Sequence, residues 1–102
     1  MYLIQLLLPV RDESGAPFPR ERYEALAREL TEQFGGVTAH TRAPAAGLWE
    51  EAPGRTVRED VVIYEVMTPA LDEDWWVALR RRLEREFRQD ELVVRAQEIR
   101  RL

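Results

Sequence analysis

The chain contains no cysteine, no lysine, no asparagine and only one histidine, His40. Without cysteine it has neither disulfides nor thiolate metal sites, and nothing marks its redox compartment. One histidine among scattered carboxylates lacks the ligand spacing of a metal centre, so no metal and no cofactor are expected. The missing lysine makes all 15 basic side chains arginine. Codon bias in a GC-rich genome explains that better than any function does. A long apolar run is missing as well. YLIQLLLPV follows Met1 directly, is too short to span a bilayer, and has neither the basic flank nor the cleavage site of an export signal. A cytoplasmic protein with no membrane partner is expected. No glycine-rich loop runs from a strand into a helix. Gly35–Gly36 does the reverse, leaving a helix and entering a strand, so it reads as a helix stop and not as a phosphate cradle.

What remains is the composition of a folded domain: 102 residues, 45% apolar and 33% charged. That length supports one core, so residues 1–102 are read as a single domain. Formal net charge is −4, which argues against a general nucleic-acid binder. The charge is uneven. Residues 76–102 carry eight arginines against five acids, and residues 1–75 carry seven against fourteen, or +3 against −7. Such asymmetry suits an oriented or self-complementary assembly, although a solvated helix face explains it more simply.

Hydrophobic periodicity divides the chain into six elements. Residues 2–10 are apolar at nearly every position, as in a central strand, with Gln5 as the polar interruption. RDESGAPF (11–18) is a turn-rich loop. Residues 19–34 place Tyr23, Leu26, Ala27, Leu30 and Phe34 on one helical stripe behind Pro19. Residues 37–43 alternate as a half-buried strand, and 44–58, with Pro44, Gly47, Pro53 and Gly54, reads as the longest loop. DVVIYEVM (60–67) is the third strand. Asp72, Glu73 and Asp74 open a second helix over 72–88, whose buried stripe is Trp76, Leu79, Leu83 and Phe87 with Trp75 on its shoulder. Residues 91–99 are the last strand.

The order βαββαβ, with right-handed crossovers, gives an α+β fold: a ferredoxin-like plait with a four-stranded antiparallel sheet, order 4-1-3-2, and two helices on one face. The other face is left uncovered. Alternation assigns Leu3, Gln5 and Leu7 to it from the first strand and Thr38, His40 and Arg42 from the second. The third strand contributes Val61, Ile63, Glu65 and Met67, and the fourth Val93, Arg95, Gln97 and Ile99. A soluble monomer rarely leaves such an apolar patch bare, so a homo-oligomer formed through this face is expected.

Its polar members are the candidate site: Gln5, His40, Arg42, Glu65, Arg95 and Gln97. His40 beside Glu65 has the make-up of a carboxylate-steered acid or base; the plainer reading is an interface histidine making ordinary hydrogen bonds. Arg42 and Arg95 can clamp an acid, or can pair with Glu65 across the strands. Trp49 is either a lid over the face or an anchor for its loop. Arg80, Arg81, Arg82, Arg85 and Arg88, interleaved with Glu84 and Glu86, read as a solvated helix face. The exposed central strands lack the aromatics that an RNA-binding plait needs for stacking.

Phe34-Gly35-Gly36-Val37-Thr38, Arg42, Pro44, Gly47-Leu48-Trp49 and Phe87 to Gln89 mark the chain as similar, nearly end to end, to a set of small uncharacterised bacterial proteins of about this length. The resemblance implies the plait and transfers no catalytic residue. At the level of fold the chain also resembles dimeric α/β-barrel proteins, among them cofactor-independent monooxygenases and small isomerases. The expectation is therefore a non-enzymatic binding or interaction domain that self-associates through its open sheet face. The alternative is a cofactor-free enzyme acting on a small organic acid or aromatic compound, with His40 as acid or base and Arg42 as anchor.

Overall fold

The computed structural model describes the backbone of all 102 residues and every side chain except those of residues 42–47, 49–51 and 56–58. Its elements run β1 (Tyr2–Pro9), α1 (Arg20–Phe34), β2 (Thr38–Ala52), β3 (Arg55–Thr68), α2 (Glu73–Glu86) and β4 (Val94–Glu98). The four strands form one antiparallel sheet in the order β2-β3-β1-β4, which read from the other edge is the expected 4-1-3-2. Among the described residues no helix is long and apolar enough to cross a membrane.

Strand parity positions the core. Ile4, Leu6 and Leu8 of β1 and Val62, Tyr64 and Val66 of β3 are buried beneath the helices. From above, α1 supplies Leu26 and Leu30, and α2 supplies Trp76, Leu79 and Leu83. Both helix stripes are those expected from spacing. Asp72 caps α2 by accepting the Trp75 N–H at 3.2 Å. Gly35 ends α1 in the left-handed conformation, φ 85°, with its N–H on the Thr31 carbonyl.

Aromatic rings lock the helices at both ends. Phe34 stacks on Trp76 at 4.9 Å and meets Trp75 edge-on at 5.1 Å. At the far end Phe87 is fully buried between Phe18 (5.1 Å) and Tyr23 (5.4 Å), and the Arg22 guanidinium lies over both Phe18 and Phe87. The Tyr23 hydroxyl donates to the Pro9 carbonyl at 2.6 Å, tying α1 to β1. Burial, with Tyr64 nearby, pushes that phenol up to about 12, so it stays a neutral donor.

Two expectations are corrected. Residues 44–58 are not a loop: β2 runs to Ala52 and β3 starts at Arg55, joined by a two-residue turn at Pro53–Gly54. The Pro–Gly order and the Gly54 φ of 79° suit a type II turn. Pro44 does not break the strand because β2 is the sheet edge and the pairing is already irregular between His40 and Ala45. The helices also fail to reach the edges. Ala39 and Thr41 on β2, and Ala96 on β4, are exposed although strand parity puts them on the helix side.

Phe87 takes part in three of these ring contacts, with Phe18, Tyr23 and Arg22. Phe87→Ala is expected to lower the unfolding free energy by about 3–5 kcal/mol, read from the urea midpoint at unchanged m-value. A loss below about 1 kcal/mol would contradict its central place.

Candidate functional site

The uncovered face carries a row of side chains that crosses all four strands. Register builds it. Gln5 on β1 has Glu65 of β3 as its partner on one side and Arg95 of β4 on the other. His40 on β2 pairs with Ile63, which sets it diagonally beside Glu65. Arg95 Nε donates to Gln5 Oε1 at 2.8 Å, Gln5 Nε2 donates to Glu65 Oε1 at 2.7 Å, and His40 Nε2 lies 3.3 Å from Glu65 Oε2. The row therefore reads His40–Glu65–Gln5–Arg95.

Gln5 sits at the junction because only an amide serves both neighbours. Its NH2 faces a carboxylate and its carbonyl faces a guanidinium; reversing the amide would set oxygen against oxygen and N–H against N–H. Arg95 thus reaches Glu65 through Gln5 and not by the direct cross-strand pair that sequence allows. The Gln5 hydrogen bond, more than the His40 contact, holds the Glu65 carboxyl below its ordinary 4.5, against an opposing push from burial. Each Glu65 oxygen has a protein partner, so Glu65 orients His40 and is not itself a free base. The imidazole remains about half exposed (53%) and can meet a ligand from the open side.

Apolar side chains flank the row. Leu3, Leu7, Val61 and Ile63 are half-buried, and Met67 (49%) and Val93 (46%) are exposed. Gln97, opposite Leu3, is exposed and outside the row. Arg42 and Trp49 belong to β2, but their side chains lie outside the described residues. The structure therefore unites Gln5, His40, Glu65 and Arg95.

The three described clefts lie elsewhere, and none is lined by a residue of the row. One of about 580 Å³ lies between the 11–18 turn and the start of the β1–β3 pairing, and sequence patterns do not foretell it. Val10, Arg11, Asp12, Glu13, Gly15, Glu59 and Asp60 line it. Burial raises the Glu59 carboxyl there. Asp12 accepts the Ser14 and Ala16 N–H groups and the Ser14 hydroxyl, which hold its carboxyl low and shape the turn. Forty-seven positions separate Asp12 from Glu59, so no local pattern announces this cleft. Among the described residues no three His, Cys, Asp or Glu side chains are arranged to hold a metal ion.

No protein-family model and no curated protein matches the chain. Two solved structures do. A phage SAM lyase in complex with S-methyl-5'-thioadenosine is 17% identical, with a TM-score of 0.60 over 95% of this chain and 80% of that one. The apo state of a phage SAM lyase is 15% identical, with a TM-score of 0.57 over 95% and 79%. At these identities the likeness is one of fold.

The lowered Glu65 carboxyl makes the face acid-sensitive. A group whose folded value lies below its unfolded one contributes stability that is present above the unfolded value and is lost as pH falls through the folded one. The gap in Tm between the wild type and Glu65→Gln is therefore expected to shrink between about pH 5 and pH 3. A gap constant over that range in thermal melts would mean that the row does not hold the carboxylate.

Proposed function

We propose that this chain is a binding domain that associates with further copies of itself through the uncovered sheet face, and that the His40–Glu65–Gln5–Arg95 row is the polar floor of a small-ligand site enclosed there. The row itself carries the reading. Four side chains from four strands are ordered by three contacts on a face whose surroundings are apolar. In bulk water such polar groups need no such order, whereas under a second sheet each needs a partner. Charge supports a second copy as the cover. Arg95 lies at the β4 edge and Glu65 on an inner strand. A two-fold, face-to-face pairing with parallel strand axes runs β2-β3-β1-β4 over β4-β1-β3-β2, which turns the basic edge of each copy toward the His40–Glu65 side of the other. The enclosed guanidinium and imidazole favour a small organic acid or an aromatic compound.

A second reading is favoured by the two lyase structures. On it the same face houses a cofactor-free reaction, with His40 as acid or base steered by Glu65. The compound held by the lyase supplies a probe. Saturable amide shifts at Gln5, His40 and Glu65 on adding S-methyl-5'-thioadenosine would support a site for adenosyl thioethers; none at about 1 mM would remove that ligand class.

Ile63 lies between Leu7 and His40 in the register, at the middle of the face. Light scattering is expected to give a mass of two or more chains for the wild type and of one chain for Ile63→Glu, with the variant still folded because Ile63 is outside the core. The wild-type Tm should rise with protein concentration and that of the variant should not. A wild-type monomer at micromolar concentration overturns the proposal.

A further inference from the structure

The five arginines on α2 and at its exit divide into two groups. Arg80 is held by Glu84, Nη1 to Oε2 at 3.0 Å, and Arg82 by Glu29 and Glu86. Arg81, Arg85 and Arg88 have no ion-pair partner among the described residues. Arg81 and Arg85 lie one turn apart on α2 and Arg88 just past its end, and the three line one cleft of about 500 Å³ with Glu84, Gln89 and Asp90. Glu84 is already committed: Arg80 reaches both its oxygens, and the Leu92 N–H donates to Oε2 at 3.0 Å. That leaves three guanidiniums against Asp90. Asp12, on the neighbouring turn and near enough to feel Arg88, is occupied by Ser14 and Ala16.

The backbone makes a second, independent point. Arg88 has φ 51° and, among the described residues, is the one non-glycine with positive φ. It occupies the left-handed position of a Schellman ending, with the Gln89 N–H on the Glu84 carbonyl at 2.8 Å. At the end of α1 the same conformation is given to Gly35. An arginine pays a steric penalty there that glycine does not, and three like charges around one cleft repel. Among the described residues, no hydrogen bond or ion pair of the Arg88 side chain offsets either effect. The helix carbonyls that would repel an anion are partly satisfied, since Phe87, Arg88 and Gln89 N–H groups donate to Leu83, Arg85 and Glu84.

We propose that Arg81, Arg85 and Arg88 form a binding site for a phosphate dianion, free or as a monoester. A tetrahedral dianion offers oxygens on three sides to three guanidiniums, where a carboxylate offers two oxygens and one charge. The site is separate from the sheet face and does not depend on self-association.

The test is an amide-resolved titration of the full chain with sodium phosphate, against sodium chloride at equal ionic strength. Saturable shifts are expected across residues 81–90 with phosphate alone. Arg88→Gly should weaken binding by roughly tenfold or more while leaving Tm unchanged or higher, because glycine accepts the backbone conformation. Arg85→Ala should weaken it similarly without that rise. Methyl phosphate binding as tightly as phosphate, or tighter, identifies a monoester site, and weaker binding a free-phosphate site. Shifts that chloride reproduces, shifts that do not saturate, or undiminished affinity in Arg88→Gly would each overturn the assignment.

Discussion

Two helices cover one face of a four-stranded sheet, and that limit decides most of what this chain presents to its surroundings. Every strand has two sides and only one can be buried under α1 and α2. On β1 and β3 the buried side is filled by Ile4, Leu6, Leu8, Val62, Tyr64 and Val66. Because alternation has period two, the same six positions dictate that Leu3, Gln5, Leu7, Val61, Ile63 and Glu65 look the other way. The open face is thus as tightly specified as the core, although nothing among the described residues covers it. A register slip of one residue would put Gln5 and Glu65 under the helices and Leu6 and Tyr64 in water, which is why the polar row and the core stand or fall together.

The polar row also explains why Gln5 interrupts an otherwise apolar strand. A leucine there would leave Glu65 short of one donor and Arg95 short of its acceptor. A glutamate would set two carboxylates side by side. Glutamine alone lets a cation at the β4 edge communicate with a carboxylate two strands away without direct contact. Coupling of that kind is a polarised chain of hydrogen bonds, and it strengthens as water is withdrawn. The arrangement has little value on an exposed surface and more beneath a second layer.

The fold is legible in the sequence because its signals are local and mutually consistent. The stripes at Leu26–Leu30 and Trp76–Leu79–Leu83–Phe87, the Gly35 stop and the Asp72 cap all point to the same topology. Strand parity likewise places Gln5, His40, Glu65 and Arg95 on a shared face. Three things are not legible. Pro44 and Gly47 carry loop chemistry, and nothing local says that their strand is an edge, where such residues are tolerated. Which cation meets which acid is a matter of reach and register, so Arg95 stands at Gln5 where charge alone points to Glu65. Composition reads the arginine run as one solvated face, and only three dimensions separate the paired Arg80 and Arg82 from Arg81, Arg85 and Arg88.

The β2–β3 ribbon gives the open face its reach. β1 pairs with β3 only as far as Val61, whereas β3 begins at Arg55 and pairs with β2 from Arg55 to Glu65. Just beyond Val61 the Val10 N–H still reaches the Asp60 carbonyl at 3.3 Å; past that the ribbon is two strands wide, with Leu48 68% exposed on it. A two-stranded ribbon is marginal in water by itself. The break in register between His40 and Ala45 falls where the supported sheet gives way to the ribbon. Bulges of this kind bend a strand and re-aim the residues beyond them. The polar row ends at His40, on the supported side of the break. Its geometry is therefore set by the part of the sheet that β1 and β3 share. A covering partner would bury the apolar flanks of a row that the sheet has already ordered.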